Sequence, residues 1–163
     1  MSWLLERLRK YKDNRGMMAN LRCVLVDNKK HRAWPALNRV GIEIDKEVPA
    51  YVAGLYATHP EETSSGNFGL TCKTIELRRG DKRGDDSKLT QTERRFQQLL
   101  TAERGSELFG RVLRMVLMAK AQGVPVNYEQ LETDLKFWTD RTKTEWATAF
   151  WAQGSAPATE EEA

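Results

Sequence analysis

Apolar residues recur at intervals of three and four from Lys88 to Trp151, and the pattern divides into four helical segments. Thr90 and Glu93 have the spacing of a capping box, in which the hydroxyl takes one free first-turn amide and the carboxylate reaches back to another. A helix is predicted to start there. Phe96, Leu99 and Leu100 share one face of it, Arg94, Arg95 and Gln98 point elsewhere, and Gly105 supplies a stop. Ser106 is the expected cap of a second helix, whose Leu108, Val112, Met115, Val116 and Ala119 form a broad apolar face widened by Phe109, Leu113 and Leu117. So wide a stripe implies a largely buried helix. Its narrow polar face carries Glu107, Arg111 and Arg114, before Gly123 and Pro125 end it. Asn127 with Gln130 opens a third helix bearing Tyr128, Leu131, Leu135 and Trp138. Thr142 with Glu145 opens a fourth bearing Trp146, Ala147, Phe150 and Trp151.

The first half reads as helical too. Ser2 is placed to cap a helix with Leu4, Leu5, Leu8 and Tyr11 on one side and Arg7, Arg9, Lys10 and Lys12 toward solvent. Met18, Leu21 and Leu25 are the stripe of the next, with Arg15 and Arg22 outside it. A basic loop follows, in which Lys29, Lys30 and Arg32 stand beside Trp34; this pairing suits single-stranded nucleic acid, and equally an exposed loop anchored by a buried Trp. Pro35 suits the first turn of a short helix ending at Gly41, and Pro49 one that carries Val52, Leu55 and Tyr56. After a polar Ser- and Gly-rich loop over 61–69, Leu70, Ile75 and Leu77 make a further helix.

The segment Arg78–Asp86 has no apolar residue and two glycines, so it reads as a flexible connection. Its Arg-Gly spacing is similar to that of disordered RNA-binding segments, but Asp81, Asp85 and Asp86 oppose that role. The expected architecture is all-α with two small helical lobes: an N-terminal lobe over 1–79, a linker over 80–87, a four-helix bundle over 88–153 and a disordered acidic tail over 154–163.

A specific grouping emerges from the order of these pieces. Glu93-Arg94-Arg95-Phe96 with Leu99-Leu100, then Gly123-Val124-Pro125-Val126, Asp134-Leu135, Trp138, Trp146-Ala147 and Phe150-Trp151, resemble the CasB family, the small subunit of the type I-E CRISPR surveillance complex Cascade. Arg15-Gly16-Met17-Met18-Ala19-Asn20-Leu21-Arg22 resembles its early arginine helix, and Leu55-Tyr56-Ala57-Thr58-His59-Pro60 with Gly66-Asn67-Phe68-Gly69 its middle segment. The resemblance covers roughly Arg15 to Trp151. Family members often carry a second arginine directly after the first in the early helix; Cys23 stands there, which leaves that contact to Arg22.

The resemblance implies a non-catalytic subunit that holds the displaced non-target DNA strand in the R-loop and bridges the backbone subunits. Its partners would be the Cascade backbone and large subunits, the guide RNA-containing complex and a second copy in a homodimer. The residues expected to meet nucleic acid are Arg22, Arg111, Arg114, Arg141 and Lys143, with Lys29, Lys30 and Arg32 behind them. Arg94 and Arg95 match the motif, yet so early in a helix they are within reach of Glu93 or Glu103, and binding and structural roles both stay open. Trp138, Trp146, Phe150 and Trp151 lie at helical spacing and read as core.

Charge fits this reading. The net charge is only +3, but residues 1–40 hold ten Lys/Arg against three acids and residues 73–120 twelve against seven, while 41–72 and 121–163 come to −4 and −5. Basic regions alternate with acidic ones, so a basic face able to collect phosphates can hide behind a small net charge.

Candidate chemistry is sparse. His31 and His59 sit in no metal-ligand spacing, and no metal or cofactor motif appears. Cys23 and Cys72 lack CxxC spacing and read as reduced, mostly buried thiols; a nucleophilic pairing of Cys23 with His59 is a weak rival to simple packing. There is no G-x-x-x-x-G-K-[ST] loop and no carboxylate in an apolar setting, so an enzyme is not expected. No apolar run would span a bilayer and no secretion signal opens the chain, which makes cytoplasm the default. The rival reading is a free-standing DNA-binding regulator with a helix-turn-helix, whose recognition helix would be Glu93 to Gln98.

Overall fold

A computed structural model describes residues 3–84 and 88–152. The expected Ser2 cap, Asp85 and Asp86, and the acidic tail from 154 onward lie outside them. Among the described residues the regular structure is helical: α1 Trp3–Lys10, α2 Arg15–Arg22, two 3-10 segments at Cys23–Leu25 and Asp27–Ala33, α3 Trp34–Val40, α4 Glu47–Thr58 and α5 Phe68–Arg79. Then come α6 Gln91–Leu100, α7 Ser106–Gln122, α8 Tyr128–Lys136 and α9 Asp140–Trp151. No helix among them is long and apolar enough to cross a membrane.

Local chemistry sets these boundaries. Thr90 Oγ1 accepts from the Glu93 amide while Glu93 Oε1 accepts from the Thr90 amide, both at 2.9 Å, so the capping box forms as its spacing predicts. Asn127 caps α8 through the Gln130 amide, again as read. The start of α9 differs: Thr139, not Thr142, is the cap, and its hydroxyl accepts from the Thr142 amide. Asn67 likewise caps α5 three residues before the expected apolar start at Leu70. Gly41 and Gly123 end α3 and α7 in the left-handed region, with φ of 94° and 68°, where a Cβ would be strained.

α4 and α5 lie at the centre. On α4, Val52 through Ala57 are all buried, and α1, α2, α7 and α8 pack against the helix. α5 packs against α9, α7 and α6. Fully buried side chains such as Leu4, Leu8, Leu21, Leu55, Phe68, Phe96 and Trp146 belong to one continuous core that runs from α1 to α9, each contributing roughly 1.5 to 3 kcal/mol in removing apolar surface from water.

That continuity changes the expected architecture. The four helices from α6 onward pack on the first half as well as on one another, with α8 on α4 and α9 on α5. The halves are also stitched by polar contacts: Tyr128 Oη donates to the carbonyls of His59 (2.6 Å) and Leu55 (3.2 Å), and Glu62 and Val126 form a parallel bridge. His59 Nε2 sits 2.6 Å from the Val124 carbonyl and must donate to it, since a carbonyl only accepts. The one buried side-chain polar atom with no partner among the described residues is Tyr56 Oη.

The connection between α5 and α6 is fastened rather than free over its described part. Asp81 Oδ2 accepts from Thr92 Oγ1 (2.6 Å) and Arg79 Nε (3.1 Å). Arg83 reaches Glu93 with both Nε and Nη2, at 3.0 and 2.7 Å.

Candidate nucleic-acid interface

The cations singled out in the sequence fall into two sorts, those already bonded and those left to solvent. Arg111 is of the first sort. Its guanidinium donates to the Gln98 carbonyl near the end of α6 (2.7 Å) and to Glu107 Oε2 one turn back (3.1 Å), so it ties α7 to α6. Arg22 donates to the Ala57 carbonyl (3.0 Å) at the end of α4. Arg114, three residues along α7, is exposed and has no partner among the described residues. The two arginines of one polar face thus differ in role.

Arg141 and Lys143 both lie near the start of α9 but two residues apart, so their side chains diverge. Arg141 meets Glu145 only through a long 3.4 Å contact, and its side chain is almost entirely in water. Lys143 Nζ stands 5.5 Å from the centroid of the Trp138 ring, a cation–π arrangement. The run holding Lys29, Lys30 and Arg32 is not a loop but the 3-10 segment Asp27–Ala33. Lys29 and Arg32 point to solvent without a partner among the described residues, whereas Lys30 pairs with Asp27 at 3.4 Å. Trp34 beside them is 45% exposed, so it does not anchor that segment as a buried residue would.

The expected cations are therefore spread over α2, the 3-10 segment, α7 and α9, and no contact joins those elements' candidates to one another among the described residues. Arg94 donates to the Leu89 carbonyl (2.8 Å), and Arg95 Nη1 lies 3.3 Å from Met118 Sδ. Neither arginine pairs with Glu93 or Glu103; Glu93 is taken by Arg83. The aromatics behave as read: Trp138, Trp146 and Phe150 are buried and Trp151 half-buried. Phe96 stacks on Phe150 with centroids 4.5 Å apart, and Trp138 meets Trp146 edge-on at 4.9 Å. Leu117 departs from its expected place in the α7 core face and is 48% exposed.

Other unpartnered cations lie in the basic first quarter. Lys10 and Lys12, at and just beyond the end of α1, Arg15 of α2 and Arg39 of α3 are all exposed and unpaired among the described residues, and α1 and α2 each pack on α3. None of these four was among the residues expected from the sequence to meet nucleic acid. Sequence reasoning also passed over the α8–α9 loop, where Phe137 is 61% exposed beside Lys136. A signal was present: Phe137 is one position off the Tyr128, Leu131, Leu135, Trp138 stripe.

Two networks hold acids near this surface. Glu93 is buried yet ionised, because Arg83 bonds it twice and outweighs the cost of burial, with help from Trp151 Nε1 and the Thr90 amide; its carboxyl is held down to about 2. Asp134, accepting from Trp146 Nε1 (2.7 Å) and Gln130 Nε2 (2.9 Å), goes the other way, since burial raises it from its ordinary value despite those bonds. Burial raises the Cys72 thiol well above its ordinary value, and both cysteines are free. Among the described residues no group of three or more His, Cys, Asp or Glu is placed to hold a metal ion. Cys23 Sγ faces the Ala19 carbonyl and not His59.

No curated protein matches the chain. Among solved structures, the crystal structure of CasB from Thermus thermophilus is similar at 19% identity with a TM-score of 0.67, over 91% of this chain and 95% of that one. That of M. ruber CasB is similar at 22% identity with a TM-score of 0.62, over 91% and 92%. These likenesses establish the all-α fold, and the family model for CRISPR-associated protein Cse2 matches residues 5–151. The chain belongs to the CRISPR-associated Cse2 family.

Proposed function

We propose that the chain is the small, non-catalytic subunit of a type I-E Cascade complex, where it bridges the backbone and large subunits and holds the displaced non-target strand while the guide RNA pairs with the target. Exchanging a DNA duplex for a guide–target heteroduplex is close to energetically balanced, so modest contacts to the freed strand tip it. A strand of arbitrary sequence must be held by its phosphates, because base-edge contacts would select sequence. The observation that carries this reading is the set of exposed cations without acidic partners among the described residues, Lys29 and Arg32 on the 3-10 segment and Arg114 on α7, set on rigid helical elements. Arg141 and Lys143 join them, since a long exposed pair such as Arg141–Glu145 is worth at most about 1 kcal/mol and gives way to a phosphate. Arg22 and Arg111 add positive charge while serving the fold, and Lys30 is partly neutralised by Asp27.

In this role the subunit needs no acid–base residue or metal, works in the cytoplasm and sits as one of two copies. The test is to assemble the complex with and without this chain on a matched target. A shorter R-loop lifetime without it, with copurification of the chain with guide RNA and other subunits, is the expected result. Tight duplex binding by the isolated chain, with no complex formed, would instead favour a free-standing regulator.

A further inference from the structure

Phe137 is the most exposed large apolar residue among those described, at 61%, and its ring makes no aromatic contact there, yet its backbone is held on several sides. Its amide donates to the Thr133 carbonyl (3.1 Å) and its own carbonyl accepts from Thr142 Oγ1 (2.6 Å). On one flank the next residue, Trp138, is anchored by its indole N–H to the Ala102 carbonyl (2.9 Å); on the other, Arg104 reaches the Lys136 carbonyl (3.4 Å). A ring displayed in water on a fixed loop loses little freedom when something stacks on it.

What stacks is indicated by the charges around it. Within residues 136–143 the loop and first turn of α9 carry Lys136, Arg141 and Lys143 against Asp140 alone, and Arg104 is docked onto the same loop. Arg141 meets Glu145 through a single exposed contact at 3.4 Å, a pair that yields readily to a stronger anion, whereas Lys136 is held at 3.3 Å by the buried Glu132 and stays with it. Lys143 sits over Trp138, next in sequence to Phe137. An aromatic platform among cations is the arrangement that takes a nucleobase on the ring and its phosphates on the side chains beside it, without selecting sequence.

The geometry points to Phe137 as a base-stacking position for single-stranded nucleic acid, with Arg141 and Arg104 taking the flanking phosphates. This rests on the strand-holding reading above and adds to it a contact that phosphate neutralisation alone does not contain. The Trp138 ring is buried and unavailable for that contact, so the stacking function falls to the residue before it.

The test uses the full chain and two probes, a short oligothymidylate and an abasic deoxyribose-phosphate oligomer of equal length, with Phe137→Ala and Phe137→Trp variants checked for unchanged circular dichroism. Phe137→Ala is expected to weaken oligothymidylate binding about tenfold and leave the abasic oligomer unaffected, while Phe137→Trp restores wild-type affinity. Equal affinities of wild type and Phe137→Ala for oligothymidylate, with salt-dependent binding retained, would overturn the stacking role and leave strand-holding intact. An equal loss on both probes would also overturn it. Absence of binding by the wild-type chain to either probe would overturn the stacking role, while the R-loop lifetime of the assembled complex decides strand-holding separately.

Discussion

Gly69 of α5 lies directly against the Trp146 backbone of α9, so close that a Cβ on it would overlap the Trp146 carbonyl oxygen. The absence of a side chain lets the two helices approach, and this contact seats the Trp146 ring in the core beside Phe68 at 5.3 Å. Gly69→Ala therefore has to push α5 from α9, at a cost of about 2 to 3 kcal/mol. A fall in melting temperature of roughly 5 to 10 °C by circular dichroism is expected. Gly110 of α7 is the control: a Cβ there meets nothing within 4 Å, so Gly110→Ala should stabilise the chain by about 0.5 to 1 kcal/mol through helix propensity and a less flexible unfolded state.

Glu93 makes stability depend on acid. Its carboxyl is held down to about 2 in the folded chain, first by the Arg83 hydrogen bonds, against roughly 4.3 when unfolded. A group whose folded value is depressed contributes stability that is complete above the unfolded value and disappears as pH falls toward the folded one. The contribution should be lost between about pH 5 and pH 2, amounting to about 2 kcal/mol once the exposure of Arg83 is allowed for. Urea unfolding of wild type and Glu93→Gln at pH 7 and pH 3 checks this: the variant should be much less sensitive to the drop. Equal sensitivity would mean that the Arg83 clasp does not hold in solution.

Arg111 and Arg114 separate structure from binding on one helix. Arg111→Ala removes the donor to the Gln98 carbonyl and should cost about 1 kcal/mol of stability. Arg114→Ala should leave the melting temperature unchanged and lower the slope of log affinity against log salt for single-stranded DNA by about 0.7. The reverse outcome would assign the roles the other way round.

Much of the fold was legible because it is written locally. The Thr90–Glu93 box, the Asn127 cap and the Gly41 and Gly123 stops each depend on a few adjacent residues, and each is found where its pattern predicts. The start of α9 was less legible, because Thr139 caps without the acidic or amide residue at the third position that marks a box, while Thr142 with Glu145 has that spacing and lies inside the helix. What a single sequence does not encode locally is which distant helices meet. Gly69 against Trp146, or α8 across α4, depends on packing between residues far apart in the chain, so the second half looked like a bundle of its own. The candidate interface was legible in the same uneven way. Helical spacing placed Arg111 and Arg114 on one polar face, but only the position of the α6 carbonyl end separates the bonded one from the free one. Phe137 stands one position off the apolar stripe of α8, and nothing else local marks it as exposed rather than buried.

In the proposed function, exposed cations on a rigid helical body, free or in weak surface pairs, hold unpaired DNA through its phosphates. The most direct measurement is the salt dependence of R-loop lifetime in the assembled complex, comparing wild type with a chain carrying Lys29→Gln, Arg32→Gln, Arg114→Gln and Arg141→Gln. If each of the four side chains neutralises a phosphate, the log–log slope falls by about three units, with lifetimes equally shortened on targets of different sequence and the melting temperature unchanged. A slope identical to that of the wild type would contradict the claim.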